Sequence, residues 1–157
     1  MKVKKTNAMR ILDAEQIEYN VITYESKDGK IDGASVANKV GMDPAVVYKT
    51  LVACGSEGNY VFVIPVEAEL DLKKAAKAAG EKKIELIPVK DIQAITGYIR
   101  GGCSPIGMKR LFPTYIDESV HEREQVVVSG GKIGVQIEIT TFELIAVTKA
   151  EVVVIAK

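Results

Sequence analysis

The chain has 157 residues, 47% of them hydrophobic and 27% charged, which is the length and composition of one globular domain with a sizeable core. Its 21 Lys and Arg balance its 21 Asp and Glu, which argues against extensive RNA binding by this chain alone, because affinity for long nucleic acids comes largely from neutralised phosphates. No stretch approaches the ~20 apolar residues of a membrane span, and the first residues lack the apolar segment of a signal peptide. The two cysteines have no CxxC spacing, which argues against a disulfide framework or a zinc site. We therefore expect one cytoplasmic domain over residues 1–157, with no metal, no cofactor and no membrane contact.

The N-terminal half alternates between helical and strand patterns. Apolar residues recur at helical spacing after Thr6, which, like Asn7, can cap a helix, and two apolar, β-rich runs are joined by Gly-Ser-Glu-Gly, which suits a hairpin. Turn residues from Asp28 lead into a second helix, which Gly41 and Pro44 stop. In chain order these patterns predict a helix over 6–18, a strand over 19–26, a short helix from residue 35, and a hairpin of strands over 48–54 and 59–66.

The C-terminal half contains the clearest helix, over 69–80, which Asp71 caps and Gly80 ends. Gly130 and Gly131 are expected to supply the positive φ of a tight hairpin. The other predicted elements are a short helix over 91–96, a strand over 114–119, the hairpin over 125–139, a helix over 142–147 and a strand over 151–155. About seven strands and four or five helices without βαβ regularity favour an α+β domain, a mixed, mostly antiparallel sheet or partial barrel flanked by helices.

Lys49 stands out because it interrupts a run of apolar and hydroxylic residues, where a charge is costly unless the site uses it. Strand alternation places it on one face with Val47 and Leu51. Two interpretations follow. It is a strand-end lysine with its stem on apolar surface and its head in water, or a cation directed into a pocket to hold a phosphate or stabilise an oxyanion.

The segment Gly101–Gly107, here called the glycine loop, matches neither a Walker A motif nor a dinucleotide-binding fingerprint. Such a loop either lets backbone N–H groups form an anion-binding concavity or serves as a structural turn. Cys103 within it is a potential nucleophile, but no histidine lies nearby in sequence to activate it. We interpret it, and Cys54 inside an apolar strand, as packing residues.

Most charged residues outside these segments are expected at the protein surface and not in a catalytic site. The only histidine, His121, lies among charges, so we expect it in solvent and not in a catalytic triad. Five lysines around the clearest helix are expected to form solvated faces, namely Lys73, Lys74, Lys77, Lys82 and Lys83. Three basic residues flank the glycine loop and are the better candidates for contacting RNA phosphates, namely Arg100, Lys109 and Arg110.

Six stretches cover most of the chain in a specific order: KTNAMRILD, VITYE, VYKTLV, VIPVEAELDLKKAAKAAGEKKIEL, TGYIRGGCSPIGMKRLFPTYID and VSGGKIGVQIEI. Together they resemble the YbaK/EbsC family, which is related to the editing insertion of bacterial prolyl-tRNA synthetases. Its characterised members are free-standing deacylases that hydrolyse mischarged tRNA, typically cysteinyl-tRNA(Pro). The resemblance implies the fold of that family, the 3′ end of an aminoacyl-tRNA as substrate, and prolyl-tRNA synthetase as a candidate partner.

The resemblance also implies a set of site residues. Catalytic roles fall on Lys49, Gly101 and Gly102, and substrate binding on Tyr24, Thr50, Ser104, Pro105, Ser129 and Gln136. One departure matters, because some deacylases of the family carry an aspartate where this chain has Gln136. A neutral amide still hydrogen-bonds a substrate but cannot act as a base or pair with an α-ammonium group.

The implied mechanism needs no nucleophile from the protein. The thiol of a cysteinyl substrate attacks its own ester carbonyl and expels the tRNA 3′ end as a thiolactone forms, with an effective molarity of ~10⁵ M or more. At a pKa of ~8.5 a few per cent of such a thiol is already thiolate at neutral pH. We expect N–H groups near Gly101 and Gly102 to face the carbonyl oxygen, and Lys49 to anchor the terminal adenosine or its phosphate.

The sequence thus predicts trans-editing hydrolysis of mischarged tRNA, with Cys-tRNA(Pro) or Cys-tRNA(Cys) as substrate. Two alternatives stay open. The fold could serve as a non-catalytic module that binds an aminoacyl-adenosine, a nucleotide or a regulatory partner, which the neutral Gln136 favours. Alternatively, Cys103 could act as the nucleophile of a cysteine hydrolase, which would make the protein sensitive to iodoacetamide.

Overall fold

The computed structural model describes residues 4–30 and 33–157. Its strands are β1 (Asn20–Thr23), β2 (Tyr48–Cys54), β3 (Asn59–Pro65), β4 (Glu85–Leu86), β5 (Thr114–Asp117), β6 (Gln125–Lys132), β7 (Val135–Thr140) and β8 (Glu151–Val153). Its α-helices are α1 (Asn7–Ala14), α2 (Gly33–Lys39), α3 (Leu72–Ala79), α4 (Ile92–Thr96) and α5 (Thr141–Thr148). Short 3₁₀ turns occupy Pro44–Val46, Val89–Asp91 and Glu118–Glu122.

The strands form two sheets whose backbones are joined by one isolated bridge. The larger sheet has the order β4-β2-β3-β5-β8 and is mixed, because β4, β2 and β3 pair antiparallel while β3, β5 and β8 pair parallel. The smaller sheet, β1-β7-β6, is antiparallel throughout. Val47, just before β2, forms an isolated parallel bridge with Val127 of β6, and this bridge joins the two sheets.

Strand β3 shows why the larger sheet lies at the centre of the fold. Its run Tyr60–Ile64 is apolar and buried at every position. Alternation sends Val61 and Val63 to the core shared with α1 and the smaller sheet, while Phe62 and Ile64 pack in a second core with α3. Each such fully buried side chain contributes roughly 1.5–3 kcal/mol, so β3 fixes both layers.

The predicted α+β class is confirmed, with two differences in detail. The structure has eight strands in two sheets rather than about seven in one sheet or partial barrel, and within the described residues the sheets do not close. The extra strand, β4, is only two residues long and carries no recognisable pattern. Part of the predicted turn before α2, at residues 31 and 32, lies outside the described residues.

Two local predictions need correction. The first helix ends at Ala14 rather than near residue 18, because Gln16 adopts φ 59° and breaks the helical path. In the β6–β7 hairpin only Gly131 of the predicted pair has positive φ (99°), while the turn itself falls between Lys132 and Val135, where Gly134 has φ 92°. Gly130 is needed for space, since an added Cβ would lie 2.8 Å from Cγ1 of Val135.

Helix caps follow the sequence closely. Thr6 caps α1 by accepting a hydrogen bond from the N–H of Met9 at 3.2 Å. Asp71 caps α3 by accepting from Lys73 and Lys74 at 3.0 and 3.1 Å, and Gly80 ends that helix. None of the helices in the described part of the chain is long and apolar enough to cross a membrane.

Candidate active site

A cavity of about 200 Å³ lies beside the junction of the two sheets. Its polar lining comes from β2, β6, β7, the glycine loop and the residue before that loop, and includes Lys49, Thr50, Arg100, Gly101, Ser129 and Gln136. A larger cleft of about 920 Å³ lies between α1 and the smaller sheet, but it contains none of the predicted site residues. We assign the candidate site to the smaller cavity on the polar atoms described below, and not on size.

The bridge between the sheets explains how the cavity arises. Lys49 and Ser129 each lie two residues beyond the bridge partners, Val47 and Val127, so each pair shares a strand face. The bridge is isolated, which means that the strands separate beyond it and leave a gap that both side chains border. Lys49 is half-buried, and within the described part of the chain its ammonium makes no ion pair or hydrogen bond. Lys49 lines a pocket, which is the arrangement that the second interpretation, a cation directed at a ligand, requires.

The smaller sheet supplies the opposite wall. Ser129 of β6 and Gln136 of β7 are direct partners in the antiparallel register, and both are buried at 9% and 6% exposure. The hydroxyl of Ser129 accepts a hydrogen bond from the N–H of Gly131 at 3.3 Å. Among residues 4–30 and 33–157, Gln136 Oε1 finds no hydrogen-bond partner. The predicted pair thus faces the cavity from adjacent strands, with one acceptor unused.

Five buried side-chain N or O atoms of the described residues lack a hydrogen-bond partner, and three of them belong to predicted site residues. Within the described residues these atoms include the Tyr24 hydroxyl, Thr50 Oγ1 and Gln136 Oε1. Leaving such a group unpaired costs roughly 1–3 kcal/mol, and native structures seldom accept this cost without a functional reason. Tyr24 does not itself line the cavity. However, its N–H donates to Gly134 O at 2.9 Å, which continues the β1–β7 register and places Tyr24 on the sheet face of Gln136.

The first two residues of the glycine loop, Gly101 and Gly102, have different surroundings. Gly101 lines the cavity with φ 85°, and its N–H donates no hydrogen bond within the described residues. The N–H of Gly102 instead donates to Ile99 O at 3.0 Å, so it is not available to a substrate. An added Cβ on Gly102 would lie 2.9 Å from Ile133 N, which shows that this glycine packs the loop against the β6–β7 hairpin. This geometry disfavours a donor role for the N–H of Gly102, and the catalytic role expected for this glycine stays a prediction.

Two other predicted loop residues also lie outside the cavity. Ser104 is fully buried, and its hydroxyl accepts a hydrogen bond from the N–H of Ile106 at 3.2 Å. Pro105 borders a separate cavity of about 150 Å³, near Ile11 and Phe112. Both residues shape the loop from inside, because their partners belong to the loop and to the α1 side of the core. Neither residue lines the cavity, and their assignment to substrate binding stays a prediction.

The candidate nucleophiles are unsuited to attack. Cys103 borders the cavity, but burial raises the pKa of its thiol to about 11, with only a partial offset from the Thr96 hydroxyl. His121 is exposed on the 3₁₀ turn Glu118–Glu122, as expected from its charged surroundings. Cys54 lies at the end of β2, outside the cavity. The site thus offers a cation, a backbone donor and neutral polar groups.

The apolar walls were not predicted from sequence. Val36 of α2 and Val66, just after β3, border the cavity, and the N–H of Val66 donates to Val47 O at 2.9 Å. Both are ordinary valines in apolar surroundings, so no local signal distinguishes them from other core residues. Only the packing of α2 and β3 against the junction of the sheets brings them to the site.

Comparisons with known proteins identify relatives of this chain. A family model for the aminoacyl-tRNA editing domain matches residues 32–147. A protein of Enterococcus faecalis that has been assigned as a Cys-tRNA(Pro)/Cys-tRNA(Cys) deacylase, EbsC, is 44% identical over 149 residues, covering 94% of this chain and 91% of that protein. A proline–tRNA ligase of Brachyspira hyodysenteriae is 27% identical over 90 residues, which is 56% of this chain and 14% of the ligase.

Solved structures show the same fold. A crystal structure assigned to a trans-editing enzyme for prolyl-tRNA synthetase superimposes with a TM-score of 0.85 at 26% identity, covering 99% of each chain. A hypothetical protein of known structure superimposes with a TM-score of 0.88 at 22% identity, which supports the fold alone. The resemblance seen in the sequence is confirmed, and the chain belongs to the aminoacyl-tRNA editing domain family.

Proposed function

We propose that this protein is a free-standing deacylase that cleaves the aminoacyl ester of mischarged tRNA, with cysteinyl-tRNA(Pro) as the first substrate to test and cysteinyl-tRNA(Cys) as the second. The observation that carries the proposal is the make-up of the cavity. It combines a free cation, a free backbone donor and unpartnered neutral polar groups with a thiol that is not activated. Such a site can hold and polarise an ester, and it presents no activated nucleophile of its own.

The size of the cavity fits an acyl group and not a whole nucleotide. Pockets that enclose drug-sized ligands measure ~300–1,000 Å³, and this cavity is about 200 Å³. The aminoacyl group would enter, and the terminal ribose and base would stay at the mouth. The unpartnered Oε1 of Gln136 and hydroxyl of Thr50 would then meet the amino and carbonyl groups of the amino acid.

The substrate would supply the nucleophile. The cysteinyl thiolate attacks the ester carbonyl carbon, the new C–S bond closes a thiolactone, and the C–O bond to the ribose breaks. The ribose oxygen leaves as the hydroxyl of the tRNA 3′ end by taking up the proton that the thiol released, and water later opens the thiolactone to cysteine. The N–H of Gly101 would stabilise the carbonyl oxygen as it gains charge, an effect worth ~3–4 kcal/mol for one donor.

Lys49 would hold the RNA end at the mouth, through one side of the phosphodiester that precedes the terminal nucleoside. No carboxylate lines the cavity in the described part of the chain, so its charge is not neutralised internally. The formal net charge of zero, together with the likeness to a prolyl-tRNA ligase, supports a partner such as prolyl-tRNA synthetase for recognition of the tRNA body. The protein would act in the cytoplasm, where tRNA is charged.

A deacylation panel tests the proposal. Cysteinyl-, seryl-, alanyl- and prolyl-tRNA(Pro) are incubated with the protein, with and without prolyl-tRNA synthetase, and release of the amino acid is followed. We expect hydrolysis of the cysteinyl ester and little of the seryl ester, because a serine hydroxyl is far less ionised than a thiol. Lys49→Ala should abolish hydrolysis, while Lys82→Ala, at an exposed position between α3 and β4 that does not line the cavity, should not. Undiminished activity of Lys49→Ala refutes the role of Lys49, and saturable binding of an aminoacyl-adenosine analogue without turnover would favour the binding module.

A further inference from the structure

The mouth of the cavity carries a second cation beside Lys49. Arg100 directly precedes Gly101, is exposed, and borders the cavity. Because the cavity lining described here includes Lys49 and Arg100 and no carboxylate, it has an uncompensated positive charge. An anion at the mouth would meet the fork of the Arg100 guanidinium, which matches the geometry of a phosphate.

The contacts of the neighbouring basic residues single out Arg100. Lys109 donates from Nζ to Ala94 O at 3.1 Å, which ties its ammonium to α4. The guanidinium of Arg110 lies 5.9 Å from the ring centroid of Phe112, over the ring face. Arg100 makes no ion pair, hydrogen bond or ring contact within residues 4–30 and 33–157. Of the three basic residues that flank the glycine loop, it is the one that is free and at the cavity.

We propose that Arg100 binds the phosphodiester on the 5′ side of the terminal nucleoside, opposite Lys49, and so positions the ester over Gly101. This inference rests on the proposed function, which leaves the terminal nucleoside at the mouth of the cavity. The nearest anion of an RNA end is then the phosphodiester one ribose away from the ester. Because Arg100 and Gly101 are consecutive, a phosphate held by the first fixes the carbonyl relative to the N–H of the second.

The test measures binding, so that it does not depend on turnover. Isothermal titration compares adenosine, cytidylyl-(3′→5′)-adenosine and inorganic phosphate on wild type, Arg100→Ala, Arg100→Lys and Arg110→Ala. In wild type the dinucleotide should bind more tightly than adenosine. Arg100→Ala should weaken the dinucleotide about tenfold to a hundredfold, as expected for loss of a charge-assisted hydrogen-bond pair, and should leave adenosine unchanged.

Two further measurements distinguish bidentate binding from simple charge attraction, and recognition of an RNA end from binding of free phosphate. Arg100→Lys should recover only part of the affinity, because lysine keeps the charge but loses the bidentate fork. The dependence of log Kd on log salt concentration should lose about one unit of slope in Arg100→Ala and none in Arg110→Ala. Inorganic phosphate should not displace the dinucleotide at matched concentration, and displacement would overturn recognition of an RNA end.

Several results would overturn the inference. They are an unchanged preference for the dinucleotide in Arg100→Ala, loss of that preference in Arg110→Ala instead, or equal weakening of adenosine and dinucleotide. Arg100 is exposed, so a thermal melt should show Arg100→Ala folded like wild type. If Arg100→Ala loses phosphate binding while wild type deacylates no tRNA, the phosphate site stands and the proposed function fails. If wild type deacylates cysteinyl-tRNA and Arg100→Ala binds every probe normally, only the inference on Arg100 fails.

Discussion

Replacing Gly102 by alanine should disturb the site without removing any group that meets the substrate. An ideal Cβ on this residue lies 2.9 Å from Ile133 N and 3.0 Å from Cα of Lys132. Both are backbone atoms of the β6–β7 hairpin, so no side-chain rotation can relieve the contact. The loop or the hairpin must move, and the N–H of Gly101 must move with the loop.

The distances set the size of the effect. Ordinary carbon contacts lie at ~3.5–4.0 Å, so the backbone must shift by roughly 0.5–1 Å. Such overpacking costs ~1–3 kcal/mol, which is less than the ~5–15 kcal/mol that keeps a domain folded. We therefore expect a folded variant with Tm lower by roughly 3–10 °C. A displacement of this size at a reacting group reduces kcat/KM by up to ~100-fold.

The assay combines a thermal melt with deacylation of cysteinyl-tRNA. Gly41→Ala is the control for the effect of an added Cβ alone, because a Cβ at Gly41 meets nothing within 4 Å; unlike Gly102, Gly41 has a left-handed conformation (φ 70°). It should lose stability through backbone strain of ~1–2 kcal/mol and keep its activity. A Gly102→Ala variant with wild-type Tm and wild-type kcat/KM would refute the argument that the hairpin backbone holds the loop in place.

Three further predictions concern other buried groups. Thr50→Val removes an unpartnered hydroxyl, so stability in urea should stay equal or rise by up to about 1 kcal/mol while deacylation falls; a loss of stability would contradict this. Glu81→Gln should lower Tm, because the Glu81 carboxylate accepts hydrogen bonds from the Tyr60 hydroxyl at 2.6 Å and from the N–H groups of Ser56 and Glu57. The Tyr60 hydrogen bond holds the pKa of Glu81 below its ordinary value of 4.5. The stabilisation by this carboxylate is therefore complete above pH 4.5, the pKa in the unfolded chain, and is lost as the pH falls through the lower pKa of the folded state. Thermal melts from pH 3 to 6 should show a weaker pH dependence of Tm in Glu81→Gln than in wild type. Cys103→Ser should keep most of the activity, and iodoacetamide at pH 7 should not inactivate wild type, because the raised thiol pKa leaves almost no thiolate.

The parts of the fold that depend on local interactions could be predicted from the sequence. The caps at Thr6 and Asp71 are hydrogen bonds within three residues, and the β2–β3 hairpin follows from two apolar runs around a short turn. The end of α1 was missed because Gln16, a residue with good helix propensity, adopts a left-handed conformation there.

The site depends on contacts between distant parts of the chain, and these had no local signal. Strand alternation placed Lys49 on the face of Val47, but its position opposite Ser129 follows from the bridge to Val127, 80 residues further along the chain. In the same way, the hydrogen bond that occupies the N–H of Gly102 and the hairpin that packs against it belong to tertiary structure. The family resemblance pointed to the loop as a unit, but it did not separate the glycine that lines the cavity from the residues that support the loop.

The single bridge between the sheets has a consequence for the choice of substrate. A continuous ladder between β2 and β6 would hold the strands ~4.8 Å apart and leave no room for an acyl group. With one isolated bridge, the spacing beyond it depends on the side chains that fill the gap, including Val36 and Val66. Substitutions at these walls would thus resize the chamber while Lys49 and the glycine loop remain in place. A new amino-acid preference could therefore arise in this fold through substitutions in the cavity wall, with the proposed catalytic residues left intact.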